Sequence, residues 1–543
     1  MSDAVVVGAG PNGLVAANLL ADQGWSVEVL EAQERPGGAV FSDRAVHPDF
    51  VNDLFSSFYP LAAASPVIAG LRLEDEGLRW SHAPSVLAHP LADGRCAVID
   101  RDLDVTAEGL DELCAGDGRS WRAQCATWDR AGHDLLRALF TTMPPVRALA
   151  GLGLRLRGGG ALRLARTMLL PVRRLGEEEF DGEGARLLLA GNALHADLGP
   201  ESAIGGGFGW LMSMLGQHYG FPVPVGGAVS LTDALVSRLR RRGGVIRCGE
   251  PVTEVVVERG RAVAVRTAGG DTVPARRAVL ADVSAPALYG RLVAPEHLPA
   301  RVLDDIRRFQ WDFATFKTDW ALDSAIPWKA GAAGGAGTVH LADSVDDLTR
   351  FAAQIAMGLV PDRPFLLVGQ MTTADPTRSP AGTESAWAYT HLPRVVRGDA
   401  GDAGLDGSWD AARREIMADR MEQRIEQFAP GFRARVLGRR VLAPPTLQSA
   451  DANLSEGALN GGTTALHQQA VFRPIPGTGR PETPVRGLYL ASSSAHPGGG
   501  VHGAPGANAA RAALGIRRPL AEALSLVQRT LTGGSGAATV GNR

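Results

Sequence analysis

The chain opens on an uninterrupted apolar run at residues 4–7, AVVV, the pattern of a strand buried on both faces. The run breaks at residues 8–13, GAGPNG, and a helical spacing follows. A second apolar strand is predicted at residues 26–30. Far downstream, residues 230–242 predict a helix, with Leu231, Leu235 and Leu239 at four-residue spacing. Arg238, Arg240, Arg241 and Arg242 crowd its last turn, where cations complement the helix dipole. Short strands are predicted at residues 245–247, 252–258, 262–267 and 278–281. Near the C-terminus, residues 488–491 read as a strand, a glycine run follows, and residues 507–514 read as a helix.

These separated pieces predict an α/β fold with one discontinuous Rossmann-type domain, made of residues 1–58, 226–289 and 437–525. Residues 59–225 and 290–436 then form a mixed α+β substrate or cap domain. Residues 313–320, 363–373 and 387–392 read as its strands, with helices expected on one face of the sheet. Residues 410–428 read as a helix with Ile416, Met421, Ile425 and Phe428 on one side. Residues 533–543 are small and polar, and disorder is expected there.

The glycine spacing at the first turn is that of a dinucleotide site. Gly8 allows the tight turn out of the strand, Gly10 lets a pyrophosphate approach the backbone, and Gly13 lets the helix pack closely on the strand. Around Pro11, Asn12 and Gly13 the helix N-terminus turns free N–H groups toward the phosphates. Glu31, followed by Ala32, ends the second strand, where a carboxylate accepts hydrogen bonds from a ribose diol. A purely structural glycine turn is the alternative. NAD and FAD share this fingerprint. Arg35, Gly37, Gly38 and Ala39 lie just beyond the acid and suit a long cofactor.

The second glycine run, at Gly498, Gly499, Gly500, Gly503 and Gly506, builds another strand–turn–helix N-terminus. Its N–H groups suit the negative charge that a reduced flavin ring carries. A glycine-rich surface loop is the alternative. Ser493, His496, Val501 and His502 accompany this run as candidate ring contacts.

Composition narrows the class. At 543 residues the chain can bury two or three cores, and 45% hydrophobic with 21% charged residues is ordinary for a globular protein. A net charge of −3 gives no general argument for a nucleic-acid partner. The four cysteines form no CxxC pair, so neither a disulfide redox centre nor a metal site is expected. The chain enters a strand almost at once, without a basic-then-apolar leader, and no apolar run is long enough to span a bilayer. A cytoplasmic location is expected. Between Leu135 and Gly176 there is no acid, but Arg137, Arg147, Arg155, Arg157, Arg163, Arg166, Arg173 and Arg174 are interleaved with Leu, Met and Ala. Such a segment suits an anionic membrane surface. The alternative is a helical lid whose arginines face water, with residues 158–160, GGG, breaking any long helix.

Taken together, the motifs resemble the phytoene desaturase and carotenoid isomerase group of FAD-dependent oxidoreductases. Within it they resemble the subgroup named after pyridine nucleotide-disulfide oxidoreductase domain-containing protein 2. The resemblance is carried by EAQERPGG at residues 31–38, FVNDLFSSFYPLAAASP at 50–66, GFPVPVGGAVSL at 220–231, FKTDWALDSAIPW at 316–328, GTVHL at 337–341, FRPIPG at 472–477 and HPGGGVHGAPG at 496–506. It implies FAD, held by Gly8, Gly10, Gly13, Glu31, Arg35, Gly37 and Gly38 at the ADP half. His496 and residues 499–503 would meet the flavin ring, and Val252 would offer its backbone to the adenine, a plain hairpin being the alternative. Asp53 would pass beside the ring, although a loop carboxylate capping a turn suits it equally. His502 could be a flavin hydrogen-bond partner rather than a proton carrier. The disulfide in the subgroup's name lacks paired cysteines here, and no second GxGxxG for a nicotinamide is visible.

The implied activity is hydride removal from a C–H bond of a mostly apolar small molecule to flavin N5, forming C=C or C=N. A redox-neutral polyene isomerase and a non-catalytic, FAD-stabilised interaction protein are the alternatives. Phe55, Phe58, Tyr59, Phe208, Trp210, His218 and Trp320 are candidate pocket lining, though each suits a core equally.

Overall fold

Two seven-stranded sheets organise the chain. The computed structural model describes residues 1–516; the expected tail at 533–543 and the end of the 437–525 segment lie outside the described residues. In the first sheet, Ser2–Val7 lies at the centre, parallel to Val27–Leu30 on one side and to Thr272–Ala281 on the other. Val245–Arg247 extends the parallel side beyond Val27–Leu30. The Thr272–Ala281 strand serves two neighbours. Its first half pairs antiparallel with Arg261–Thr267, and its last residues pair parallel with Leu488–Leu490. Residues from three distant stretches therefore end at the same sheet edge, where ligands bind in open α/β folds.

The second sheet runs in the order Val436–Leu442, Ala314–Leu322, Glu384–Leu392, Leu366–Gln370, Ala336–Leu341, Ser85–Pro90, Cys96–Ile99. Every pairing is antiparallel except that of Ala336–Leu341 with Ser85–Pro90. Helices pack on both faces rather than on one. Leu87, Leu367 and Trp387 face a core shared with Trp121, Leu188 and Trp210. Ala88, Leu366 and Val368 face the other way, toward Met417, Met421, Ile425 and Phe428 of the Ala411–Phe428 helix. Ile416, expected on that buried side, is exposed.

Two boundaries differ from the sequence expectation. Val436–Leu442 is the edge strand of the second sheet, so the chain returns to the first unit after Leu442 and not at 437. Residues from Tyr59 to Leu78 pack into the core of the first sheet beside Leu14 and Leu235, so this stretch belongs there and not to the cap.

A buried charge network joins the two units. Arg378, fully buried, donates to Asp53 and to Asp375 at 2.9 Å each, and to the Pro224 carbonyl at 3.2 Å. Asp53 also accepts from the Ala228 N–H at 2.9 Å and from Ser42 at 2.6 Å. Lys317 donates to the Asp53 carbonyl at 2.8 Å and pairs with Asp319, which Arg440 holds from the other side at 2.7 Å. Removing one member of such a network strands its partner's charge.

The second unit also buries histidines. His195 and His340 share a hydrogen bond of 2.8 Å, and His89 donates to the Ala342 carbonyl at 3.1 Å. Burial pushes His89 down to about 4 and His195 to about 3. These rings stay neutral in the fold while the unfolded chain protonates them, so their contribution to stability is complete above pH 6.5 and is lost as pH falls toward 4.

Two outcomes are expected. Replacing Arg378 with Met should lower unfolding free energy by about 3–5 kcal/mol in chemical denaturation, with an unchanged midpoint contradicting the network's role. Between about pH 7 and about pH 5, wild type should lose about 2 kcal/mol more than His89→Gln. Parallel pH profiles for the two proteins would show that His89 is not buried neutral.

Candidate active site

The first sheet's C-terminal edge opens into a cleft of about 970 Å³, lined by residues of all three distant stretches. Gly8, with φ +95°, turns the chain out of the central strand. A Cβ at Gly13 would stand 2.2 Å from the Gly8 carbonyl oxygen, so the helix Pro11–Asp22 seats against the strand only because Gly13 has none. Gly10 lines the cleft and has a second constraint beside the expected one. A Cβ there would stand 2.7 Å from Asp282 Oδ2. A side chain there would have to displace the carboxyl that accepts the Gly13 N–H.

Asp282 follows the Thr272–Ala281 strand and was missed from the sequence, although a polar residue at the C-terminal end of a parallel strand is where a site residue belongs. Its Oδ2 accepts the Gly13 N–H at 2.8 Å, taking one of the helix's free donors. Burial, with Asp451 and Glu31 nearby, raises its pKa to about 8 against the pull of that hydrogen bond. The group is therefore largely neutral at pH 7, which suits a neighbour of phosphates. Asn453 fixes the turn that follows, donating to the Asp282 carbonyl at 3.1 Å and accepting from Ser284 N–H at 2.8 Å.

Glu31 is engaged in the loop itself. It accepts from the Ala9 N–H at 2.7 Å and from the Gln33 N–H at 2.9 Å, so the acid shapes the turn and keeps lone pairs for a diol. Pro11, Asn12, Ala32, Arg35, Gly38 and Ala39 line the cleft beside it, and Val252 lines it from the opposite hairpin. The Asn12 carboxamide oxygen is buried with no partner among the described residues. Gly37 does not line the cleft; its N–H donates to the Ala9 carbonyl at 2.9 Å and a Cβ would meet the Val40 carbonyl at 2.7 Å.

At the second glycine run the helix begins earlier than expected, at Ala504. It lies directly against the first helix, because a Cβ at Gly506 would stand 1.9 Å from the Asn12 carbonyl oxygen. Two helix N-termini thus sit side by side over one cleft. Ser493, Gly500 and Val501 line it, joined by Gly461, Leu459, Leu54 and Phe55. Gly499 packs behind them on Asn460.

The candidate catalytic groups stand back from the cleft. Asp53 is fully buried in the ion network and caps the Ala228 N–H, which is the structural alternative for this residue. Its neighbours Leu54 and Phe55 reach the cleft instead. His502 accepts the Ala504 N–H at Nδ1, 3.1 Å, capping the second helix, while Ser65 donates to its carbonyl at 2.7 Å. Burial lowers both His496 and His502 to about 4, so neither is a proton donor near neutrality. Of the candidate aromatics only Phe55 lines the cleft. Tyr59, Trp210 and Trp320 are core residues, Phe58 packs on Trp387, Phe208 joins a small satellite cluster, and His218 stacks on Trp128. No group of His, Cys, Asp and Glu among the described residues could hold a metal.

Residues 12–318 match the model of a family described as flavin containing amine oxidoreductase. The chain belongs to that family. It is an FAD-dependent oxidoreductase. Pyridine nucleotide-disulfide oxidoreductase domain-containing protein 2 of Rattus norvegicus is 28% identical over 94% of this chain and 92% of its own length. A neurosporene-forming phytoene desaturase of Rhodobacter capsulatus is 24% identical over 92% of this chain and 91% of its own. An oxidoreductase from Methanosarcina mazei has the same fold, with a TM-score of 0.62 at 17% identity over 94% of this chain and 99% of that one.

The residues present fit FAD. The glycine cradle, the Glu31 lone pairs, the neutral Asp282 carboxyl and the paired helix N-termini match a ribose, a pyrophosphate and an anionic ring system in turn. Gly13→Ala should abolish FAD retention and lower stability, read from bound-flavin absorbance and thermal unfolding. Asp282 gives a sharper outcome. Above about pH 8 its ionisation sets a negative charge beside the phosphates. FAD affinity should fall on the order of tenfold between about pH 7 and about pH 9.5 in wild type. Asp282→Asn should keep the Gly13 bond and flatten that profile; an equal fall in both proteins would remove Asp282 from the phosphate site.

Proposed function

We propose that this oxidoreductase dehydrogenates a mostly apolar small molecule, taking hydride from one carbon and leaving a C=C or C=N bond. The observation that carries the proposal is the composition of one cleft wall. Leu54, Phe55, Leu459, Gly461, Ser493 and Val501 contain no titratable side chain. A charged substrate would be desolvated there without a partner, at a cost that an apolar one avoids. When bound, FAD would supply the hydride acceptor, and turnover would need an external electron acceptor. The chain's own work is to hold the phosphates at the Gly8–Gly13 turn, to exclude water with Leu54, Phe55 and Leu459, and to keep His496 and His502 neutral. The proton lost from the adjacent atom then leaves to solvent, since no side chain of that wall can accept it. The likeness to the Rhodobacter capsulatus phytoene desaturase favours carbon–carbon over carbon–nitrogen bonds.

The four cysteines are all free in the fold, which supports a reducing compartment and the cytoplasm as the place of action. Among the described residues no helix is long and apolar enough to cross a membrane.

Anaerobic mixing with panels of terpenoid hydrocarbons, polyenes and primary amines should bleach the flavin with the hydrocarbons and not with the amines. Phe55→Asp should retain FAD yet lose at least about tenfold in kcat/KM, because its carboxylate is buried unpaired against the substrate. Bleaching by amines alone would overturn the apolar assignment. Product formed only with pre-reduced protein, and with no acceptor consumed, would replace dehydrogenation by isomerisation.

A further inference from the structure

The helix Val146–Leu169 is built against the rule that governs the rest of the surface. Ala148 and Leu164 are its only buried residues. Leu154 is 83% exposed and Leu162 is 74% exposed, and Val146, Leu149 and Leu169 are exposed with them. The helix breaks at Arg157, where φ is 53°, just before the three glycines. On each side of the break the exposed apolar residues recur at helical spacing, Val146, Leu149 and then Leu162, Leu169.

Arginines flank these residues, and they divide into two sets. Arg155 pairs with Asp134, Arg166 and Arg174 pair with Glu178, and Arg173 pairs with Glu201. Arg137, Arg147, Arg157 and Arg163 have no carboxylate partner among the described residues. No acid lies in the sequence from residue 135 to residue 176 to offer one. Unpaired cations among exposed leucines leave both charge and apolar area uncompensated in water.

A second segment extends the same surface. The Met143 N–H donates to the Gly479 carbonyl at 3.3 Å, and Gly479 also packs on Ala470 and Val471. Val471, Phe472 and Leu466 of this loop are exposed. The start of the basic helix and this apolar loop thus adjoin. The chain ahead of the helix runs inward toward the cleft. Phe140, just before the helix, lies 5.1 Å from the His502 ring, and His502 packs beside Gly500, which lines the cleft.

We propose that the Val146–Leu169 helix and the Leu466, Val471 and Phe472 loop dock on an anionic lipid bilayer, the leucines entering the interface and the unpaired arginines meeting lipid phosphates. The charge complementarity selects a membrane over a second copy of the chain, whose same face would bring arginine against arginine.

The test is sedimentation of the FAD-loaded protein with phosphatidylcholine vesicles, with and without phosphatidylglycerol. Binding should require the anionic lipid and weaken with salt. The triple variant Arg147→Ser, Arg157→Ser, Arg163→Ser should bind on the order of 100-fold more weakly. Leu154→Gln with Leu162→Gln should also lose binding, while flavin content and thermal midpoint stay those of wild type. Equal binding to neutral vesicles, or unchanged binding in either variant, would overturn the proposal. So would a dimer in sedimentation velocity that the leucine variant dissolves, which would assign this face to a second copy.

Discussion

The absence of one atom, the Cβ of Gly13, holds the cofactor end of this protein together. The helix behind it approaches the central strand so closely that a methyl group would enter the Gly8 carbonyl. Only at that separation does the Gly13 N–H reach Asp282, and only then does Asp282 stand over Gly10. The second helix repeats the device at Gly506, against the Asn12 carbonyl. The contacts at Gly13 and Gly506 are with backbone atoms, so no rotamer change can relieve a substitution there. The same crowding excludes water from Asp282 and keeps its proton on, which removes a charge the phosphates would otherwise oppose.

At the other end of the cleft, position is set by charge. Asp53, Arg378 and Asp375 form a chain of pairs whose members come from both units, and Lys317, Asp319 and Arg440 continue it into the second sheet. None of these groups lines the cleft. Their effect there is indirect: Asp53 is anchored at both its side chain and its carbonyl, and the next two residues, Leu54 and Phe55, form apolar wall. Buried ion pairs add little net stability over apolar packing, but they penalise every arrangement that separates them. A protein whose two units meet at such a network gains a fixed geometry from that penalty.

Those two mechanisms differ in how far sequence discloses them. The strand–turn–helix at residues 2–22 is legible because glycine, apolar run and acid each report a local constraint. The strands at residues 245–247 and 252–258 are legible for the same reason, as turn residues bound short apolar stretches. Contacts between distant segments leave no such trace. Asp282 looks like any acid after a strand until Gly10 is beside it. The Ala314–Leu322 strand is buried along its whole length yet contains Lys317 and Asp319, a polar alternation that suggests a solvent face where none exists. Ile416 fails in the opposite sense, an apolar residue at helical spacing that the packing leaves outside.

The buried histidines bear on how chemistry can proceed in such a cleft. An imidazole near a reacting bond is ordinarily read as an acid or base, and His496 and His502 lie beside the glycine run that meets the cleft. Both are desolvated far enough to stay neutral, and Arg473 adds a fixed positive charge that opposes their protonation. His502 spends its remaining lone pair on the helix cap. What remains on the wall of Leu54, Phe55, Leu459 and Val501 is apolar area and backbone dipoles. Such a wall can orient a hydrocarbon and favour negative charge on a ring, but it cannot take up a proton. Reactions limited by hydride departure suit it, and those needing a strong local base do not. A substrate of the apolar kind proposed is poorly soluble in water, so its delivery is as demanding as its chemistry. Docking of the basic, leucine-bearing helix on a bilayer, as proposed, would bring the protein to where such a substrate dissolves.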